Sequence, residues 1–201
     1  MNKKSFSVIL SLIAMLALSS PIFAAGGGPL EYANINIRDV AATQRGAKLF
    51  VNYCLSCHAA GYMRYNRLAE DLGLDEEMVM ENLVFADVKI GETMDIAMRE
   101  QDAESWLGKA PPDLSLISRS RGADWLYTYL LTFYQDETGG WNNLVLPNAS
   151  MPHVMWQLQG IQKAVYATHD GHEAVDHLTL AKPGLQSPEE FQESVRDLVT
   201  F

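Results

Sequence analysis

Hydrophobic positions recur at helical spacing in four stretches of this chain. Over residues 40–53, Ala47, Phe50 and Val51 fall on one side, which predicts a helix. Gly46 inside it lowers helix stability, so its expected use is close approach by another backbone. Residues 75–83 form a second, acidic helical stretch carrying Met78 and Met80. Residues 116–134 read as a helix interrupted at Gly122, with Trp125, Tyr129, Leu130 and Phe133 on one apolar face. The fourth pattern opens on Ser187-Pro188-Glu189-Glu190, a capping box with proline at the first helical position. It sets Phe191, Val195, Leu198 and Val199 on one face.

Elsewhere the period fails. Residues 25–38 form a Gly-rich, irregular opening, and residues 84–110 carry no sustained pattern. The Pro111-Pro112-Asp113-Leu114-Ser115 run turns the chain, and Gly139-Gly140, Pro147 and Pro152 give residues 135–152 loop chemistry. His169, His172 and His177 lie among Asp170, Glu173 and Asp176, which reads as a solvated loop rather than a metal site. The expected class is therefore mostly α, with long loops.

Composition adds a compartment. Lys3 and Lys4, an apolar run over residues 8–18, and small residues at Ala24-Ala25 read as a secretory signal peptide over residues 1–24, leaving a mature domain over 25–201. The run is short for a membrane span. The 15 Lys and Arg against 25 Asp and Glu give a net charge of −10, or −12 without Lys3 and Lys4. An acidic exported domain is a poor nucleic-acid binder and attracts a basic partner.

The chemistry sits in Cys54-Leu55-Ser56-Cys57-His58, a C-x-x-C-H run and the attachment signature of a c-type haem. Two thiols three positions apart can each add to one porphyrin vinyl group, and the following histidine comes up beneath the iron as proximal ligand. A redox dithiol would expect a βαβ context, and a closed zinc site would need four ligands. A disulfide would close a tight, strained loop. The chain has 2 cysteines in all, and an exported protein would normally pair them, so thioethers to a haem explain why they persist.

The sixth ligand decides the function. Methionine opposite histidine raises the reduction potential and suits electron transfer, whereas an open face suits a soluble haem enzyme or gas sensor. Met151, on a loop between Pro147-Asn148 and Pro152, lies far enough along the chain to cross to the other face; Met94 is its rival. Arg119 and Arg121 are candidate partners for haem propionates, because a guanidinium fork matches a carboxylate, with solvated arginines as the alternative.

Several longer runs carry a resemblance. They are Arg45-Gly46-Ala47-Lys48-Leu49-Phe50-Val51-Asn52-Tyr53, Tyr62-Met63-Arg64-Tyr65-Asn66-Arg67-Leu68, Pro111-Pro112-Asp113-Leu114-Ser115 and Arg119-Ser120-Arg121. Trp141-Asn142-Asn143, Met151-Pro152-His153, Ser187-Pro188-Glu189-Glu190 and Val195-Arg196-Asp197-Leu198 continue it. With them the chain resembles proteobacterial cytochrome c1, the haem subunit of the quinol–cytochrome c reductase (bc1) complex. The resemblance implies a cytochrome c-like helical haem domain with family insertions, and one covalent haem c on Cys54 and Cys57. It also implies axial ligation by His58 and Met151, Arg121 beside a propionate, and Pro112 lining the pocket. It further implies partnership with cytochrome b and a Rieske iron–sulfur protein, delivery of electrons to cytochrome c, and a place on the periplasmic face of the inner membrane. The family continues its last helix into a membrane anchor, whereas this sequence stops at Phe201 before such a span, so attachment there is implied by the resemblance alone.

Overall fold

The four helical stretches become elements of the computed structural model, which describes residues 29–169 and 172–201. The signal-peptide reading lies outside the described residues. Helix α1 (Val40–Tyr53) starts at Asp39, whose carboxylate accepts the Ala42 amide. Strand β1 (Ala60–Arg64), α2 (Tyr65–Leu72) and α3 (Glu76–Asn82) follow the cysteine motif. Strand β2 (Thr93–Met94) returns antiparallel to β1 and sets Met94 opposite Ala60. Next come α4 (Glu100–Leu107), α5 (Ile117–Arg121) and α6 (Ala123–Leu131), the last two separated by Gly122 at φ 89°. That conformation is one side chains rarely adopt, which is why the predicted interruption falls there.

The C-terminal third holds β3 (Phe133–Gln135), β4 (Trp141–Asn143), a single turn α7 (Trp156–Gln159) and the ribbon of β5 (Gly160–His169) with β6 (His172–Pro183). These four strands order as β4-β3-β5-β6, with β3 antiparallel to β4 and parallel to β5 through Gln135 and Lys163. Helix α8 (Pro188–Thr200) closes the fold. Its capping box is complete: Glu190 N–H donates to Ser187 Oγ at 3.3 Å and Ser187 N–H to Glu190 Oε2 at 2.8 Å.

The mostly-α expectation does not hold: 40% of the chain described is helical and 20% is strand, in two sheets. The β5–β6 ribbon accounts for most of the difference. It stands largely exposed along β6, so polar side chains occupy both its faces. Register shifts near Ile161 and Val165 break the alternation that marks a strand. The helix expected through residue 134 ends at Leu131, and Phe133 and Tyr134 join β3 instead. Helix α4 occupies a stretch without a sustained period, and α2 buries Tyr65, Leu68, Ala69 and Leu72 on one face.

Two apolar clusters form the core. One gathers Phe50, Val51, Cys54, Tyr65, Leu68, Leu72 and Met94; the other gathers Ala33, Tyr127, Leu131, Met155, Phe191 and Val195. Tyr53 and Leu198 pack on both, so the residue just before Cys54 joins the halves. Where α1 meets α8, Gly46 has its predicted use. A Cβ there would fall on the Asp197 carbonyl oxygen and lie 2.8 Å from the Phe201 Cβ. Arg45 beside it forks onto the buried Asp197 carboxylate, with Nε–Oδ2 at 2.6 Å and Nη2–Oδ1 at 2.9 Å.

Candidate functional site

The cysteine motif continues α1 as one tight turn. Cys54 N–H donates to Phe50 O at 2.8 Å, and the amides of Cys57 and His58 both donate to Cys54 O, at 3.0 and 2.8 Å. Both cysteines are free thiols. Cys54 is buried in the first cluster, and burial with the nearby Cys57 pushes its thiol up to about 12. A neutral sulfur is what that position tolerates, which a thioether satisfies and a thiolate metal ligand does not.

His58 is oriented by the main chain. Its Nδ1 lies 2.7 Å from the Pro112 carbonyl oxygen. A carbonyl only accepts, so Nδ1 carries the proton and Nε2 keeps its lone pair. Among the described residues Nε2 has no hydrogen-bond partner. The segment bearing Pro112 is fastened alongside: Leu114 N–H donates to Ala59 O at 2.8 Å, Gly61 N–H to Asp113 Oδ2 at 2.9 Å, and Tyr62 N–H to Ser115 Oγ at 3.1 Å. Burial works to raise the Asp113 carboxyl, but hydrogen bonds from Ser115 and the Gly61 amide outweigh it and leave it below the usual carboxylate range.

This strap runs directly into α5 and Arg121. The Arg121 guanidinium sits 5.0 Å from the centre of the Trp125 ring, and no carboxylate pairs with it among the described residues. Trp125 stacks on Tyr129 at 5.0 Å and 10°, and Tyr129 meets Phe133 edge-on at 4.9 Å. The Tyr129 hydroxyl donates to Met151 Sδ at 3.4 Å. Burial pushes the Tyr129 phenol up to about 12, so it keeps the proton it donates. Arg121 and Met151, thirty residues apart, thus lie along one stack of rings.

The methionine loop is held on both flanks. Before it, Asn142 Oδ1 accepts the amides of Asn143 and Asn148, both at 2.8 Å. Asn143, itself buried, donates to Tyr129 O at 2.7 Å and accepts from the Val145 and Leu146 amides. After it, His153 is 3% exposed, stacked on Phe133 at 5.1 Å and 3°, with Trp141 and Phe191 edge-on at 5.3 and 6.3 Å. Burial draws the His153 imidazole down to about 4, with the Gln159 side chain acting weakly the other way. The rival Met94 is 0% exposed and packs in the Cys54 cluster. Its strand pairing with Ala60 puts it on the His58 side.

The structure therefore brings Cys54, Cys57, His58 and Pro112 together in one place, and Arg121 and Met151 together along one stack of rings in another. These residues fit a haem: two thiols, an imidazole with a free lone pair, a thioether and an unpaired guanidinium form a matching donor set. The reading of the residues passed over Tyr129 and His153. Tyr129 counted only as part of an apolar stripe, and nothing in local sequence marks a phenol that meets a loop 22 residues on. Among the described residues no group of three or more His, Cys, Asp or Glu side chains can hold an ion, and His177 Nδ1 pairs with Asp176 at 2.8 Å.

That donor set defines the class, a c-type cytochrome, and comparison with known proteins narrows it. The chain is 46% identical to "Cytochrome c1" of Allochromatium vinosum, covering 96% of this chain and 82% of that protein. It is 43% identical to the "Ammonia monooxygenase gamma subunit" of Nitrosomonas europaea, over 96% of this chain and 81% of the relative. It is 30% identical to "Cytochrome b/c1" of Bradyrhizobium diazoefficiens over 54% of this chain and 19% of that longer protein. No family model matches. The chain belongs to the cytochrome c1 family, electron-transfer cytochromes with covalently bound haem c.

Proposed function

We propose that this chain is the haem subunit of a bc1-type quinol–cytochrome c oxidoreductase. It takes one electron from a Rieske iron–sulfur protein, beside cytochrome b, and delivers it to cytochrome c at the periplasmic face of the inner membrane. The chain breaks no substrate bond itself. The acidic charge of −10 suits a basic electron acceptor, steering encounter without tight binding. No helix among the described residues is long and apolar enough to cross a membrane.

When bound, the haem c supplies a one-electron ferric–ferrous couple. Cys54 and Cys57 hold it through thioethers, so repeated redox cycling cannot lose it. His58 would hold the iron through Nε2, because Pro112 O fixes the tautomer. Met151 would supply its sulfur as the second iron ligand, and a methionine–histidine pair would raise the potential and keep small ligands out. Arg121 neutralises a propionate.

The observation that carries the reading is the 2.7 Å bond from His58 Nδ1 to Pro112 O, which prepares an imidazole directly after two free thiols for metal ligation. The reduced holoprotein under carbon monoxide tests it. A six-coordinate ferrous c-type spectrum, unchanged by the gas at neutral pH, is expected. Prompt carbon monoxide binding would instead mark an open-site haem enzyme or gas sensor.

A further inference from the structure

We infer that Tyr129 is a positioning residue for the Met151 sulfur: its hydroxyl aims the thioether and weakens it as an electron donor, which favours the reduced state. The inference rests on Met151 being an axial ligand, as proposed above, and concerns a residue outside that ligand set. Its basis is the 3.4 Å hydrogen bond from the Tyr129 hydroxyl to Met151 Sδ, made by a ring with little freedom. Tyr129 is 8% exposed, parallel to Trp125 on one side and edge-on to Phe133 on another. Arg121 covers Trp125 in turn. The backbone carbonyl of Tyr129 accepts from Asn143 Nδ2 at 2.7 Å, so the same residue also ties down the loop that carries the methionine. A phenol fixed at so many points cannot swing away, and its O–H vector stays on the sulfur.

A donor on the thioether draws density from the lone pair that would otherwise stabilise ferric iron. Removing it should therefore favour the oxidised form. The hydrogen bond also restricts rotation about the methionine side chain, so its loss should speed displacement of the sulfur by added ligands.

Tyr129→Phe in the holoprotein tests this, because phenylalanine keeps the stack and deletes only the hydroxyl. At fixed ambient potential near the midpoint, the ferrous-to-ferric ratio should fall about two- to fivefold, the scale of one neutral hydrogen bond. Displacement of the sulfur from the ferric protein by imidazole should quicken, with haem content unchanged. Tyr127→Phe is the control. It removes a phenol of the same helix whose hydroxyl instead accepts from Arg196 Nη2 at 3.4 Å, and it should move neither readout. An unshifted ratio and exchange rate in Tyr129→Phe, or an equal shift in Tyr127→Phe, would overturn the inference. If the unaltered ferric protein lacks the iron–sulfur charge-transfer band, the ligand assignment fails and the inference with it. If the band is present and Tyr129→Phe is silent, the inference alone fails.

Discussion

On the Cys54–His58 side the imidazole hangs from a main-chain carbonyl, whereas on the Met151 side the sulfur hangs from side chains. The first half is built by a turn of consecutive residues and a strap whose amides and carbonyls could belong to many sequences. The second half is built by Tyr129, Phe133, Asn143 and His153, each needing its own ring or amide. Backbone wiring tolerates substitution of the residue that supplies it. Side-chain wiring does not. The two halves should therefore respond differently to mutation, and that contrast can be tested.

The largest effect should come from breaking attachment. Cys57→Ser should lose most covalent haem, read by haem staining after denaturing electrophoresis. Retention of stain at the unaltered level would contradict the thioether assignment. Next, Met151→Leu should keep the haem but lower the potential, on the order of 0.1–0.3 V within the range axial ligands span, and admit carbon monoxide. Met94→Leu is nearly volume-conserving in a packed core and should cost less than about 1.5 kcal/mol with no change in potential. The reverse pattern would transfer the ligand role to Met94.

The unequal wiring also explains what could be read in advance. The Cys54–His58 motif, α1, α8 and the Gly122 break are local signals, and each falls where the residues place it. The acceptor for His58 was not readable, since any of many carbonyls could serve and only the folded strap selects Pro112. Tyr129 and Met151 meet because Asn143 folds the intervening loop back on α6, a contact that periodicity does not encode. The β5–β6 ribbon hid for another reason. With little of it buried, no hydrophobic face imposed the two-residue alternation, although Asp170-Gly171 between its strands is a hairpin dipeptide and the one cue that could have exposed it.

A direct comparison sets His153→Ala against Pro112→Ala. His153 fills the space between Phe133, Trp141 and Phe191, so truncation leaves a cavity and should cost about 3 kcal/mol in chemical denaturation. Pro112→Ala keeps the carbonyl that orients His58 and loses only the rigidity of the ring, a cost of about 0.4–1 kcal/mol. The haem spectrum should stay unchanged. If Pro112→Ala perturbs the His58 environment as strongly as His153→Ala perturbs the Met151 loop, the contrast between main-chain and side-chain wiring falls.

The smallest effect concerns the strap, through the Asp113 side chain that helps to fasten it. Asp113 accepts Gly61 N–H on one oxygen and Ser115 N–H on the other, at 2.9 and 2.7 Å, and both bonds favour the carboxylate. Its pKa is therefore lower folded than the 3.8 of the free group. The strap's stabilisation is fully present above that unfolded value and is lost as pH falls through the folded one. Because the side chain is exposed, solvent screening keeps the contribution below about 1 kcal/mol. Asp113→Asn replaces one acceptor oxygen with an NH2 donor, so it loses one of the two bonds at every pH. The stability gap between the two proteins should thus be open at neutral pH and close in acid, as the native carboxylate protonates and forfeits the same bonds. A gap that persists or widens once the pH lies well below the folded value would mean that Asp113 does not act through its charge.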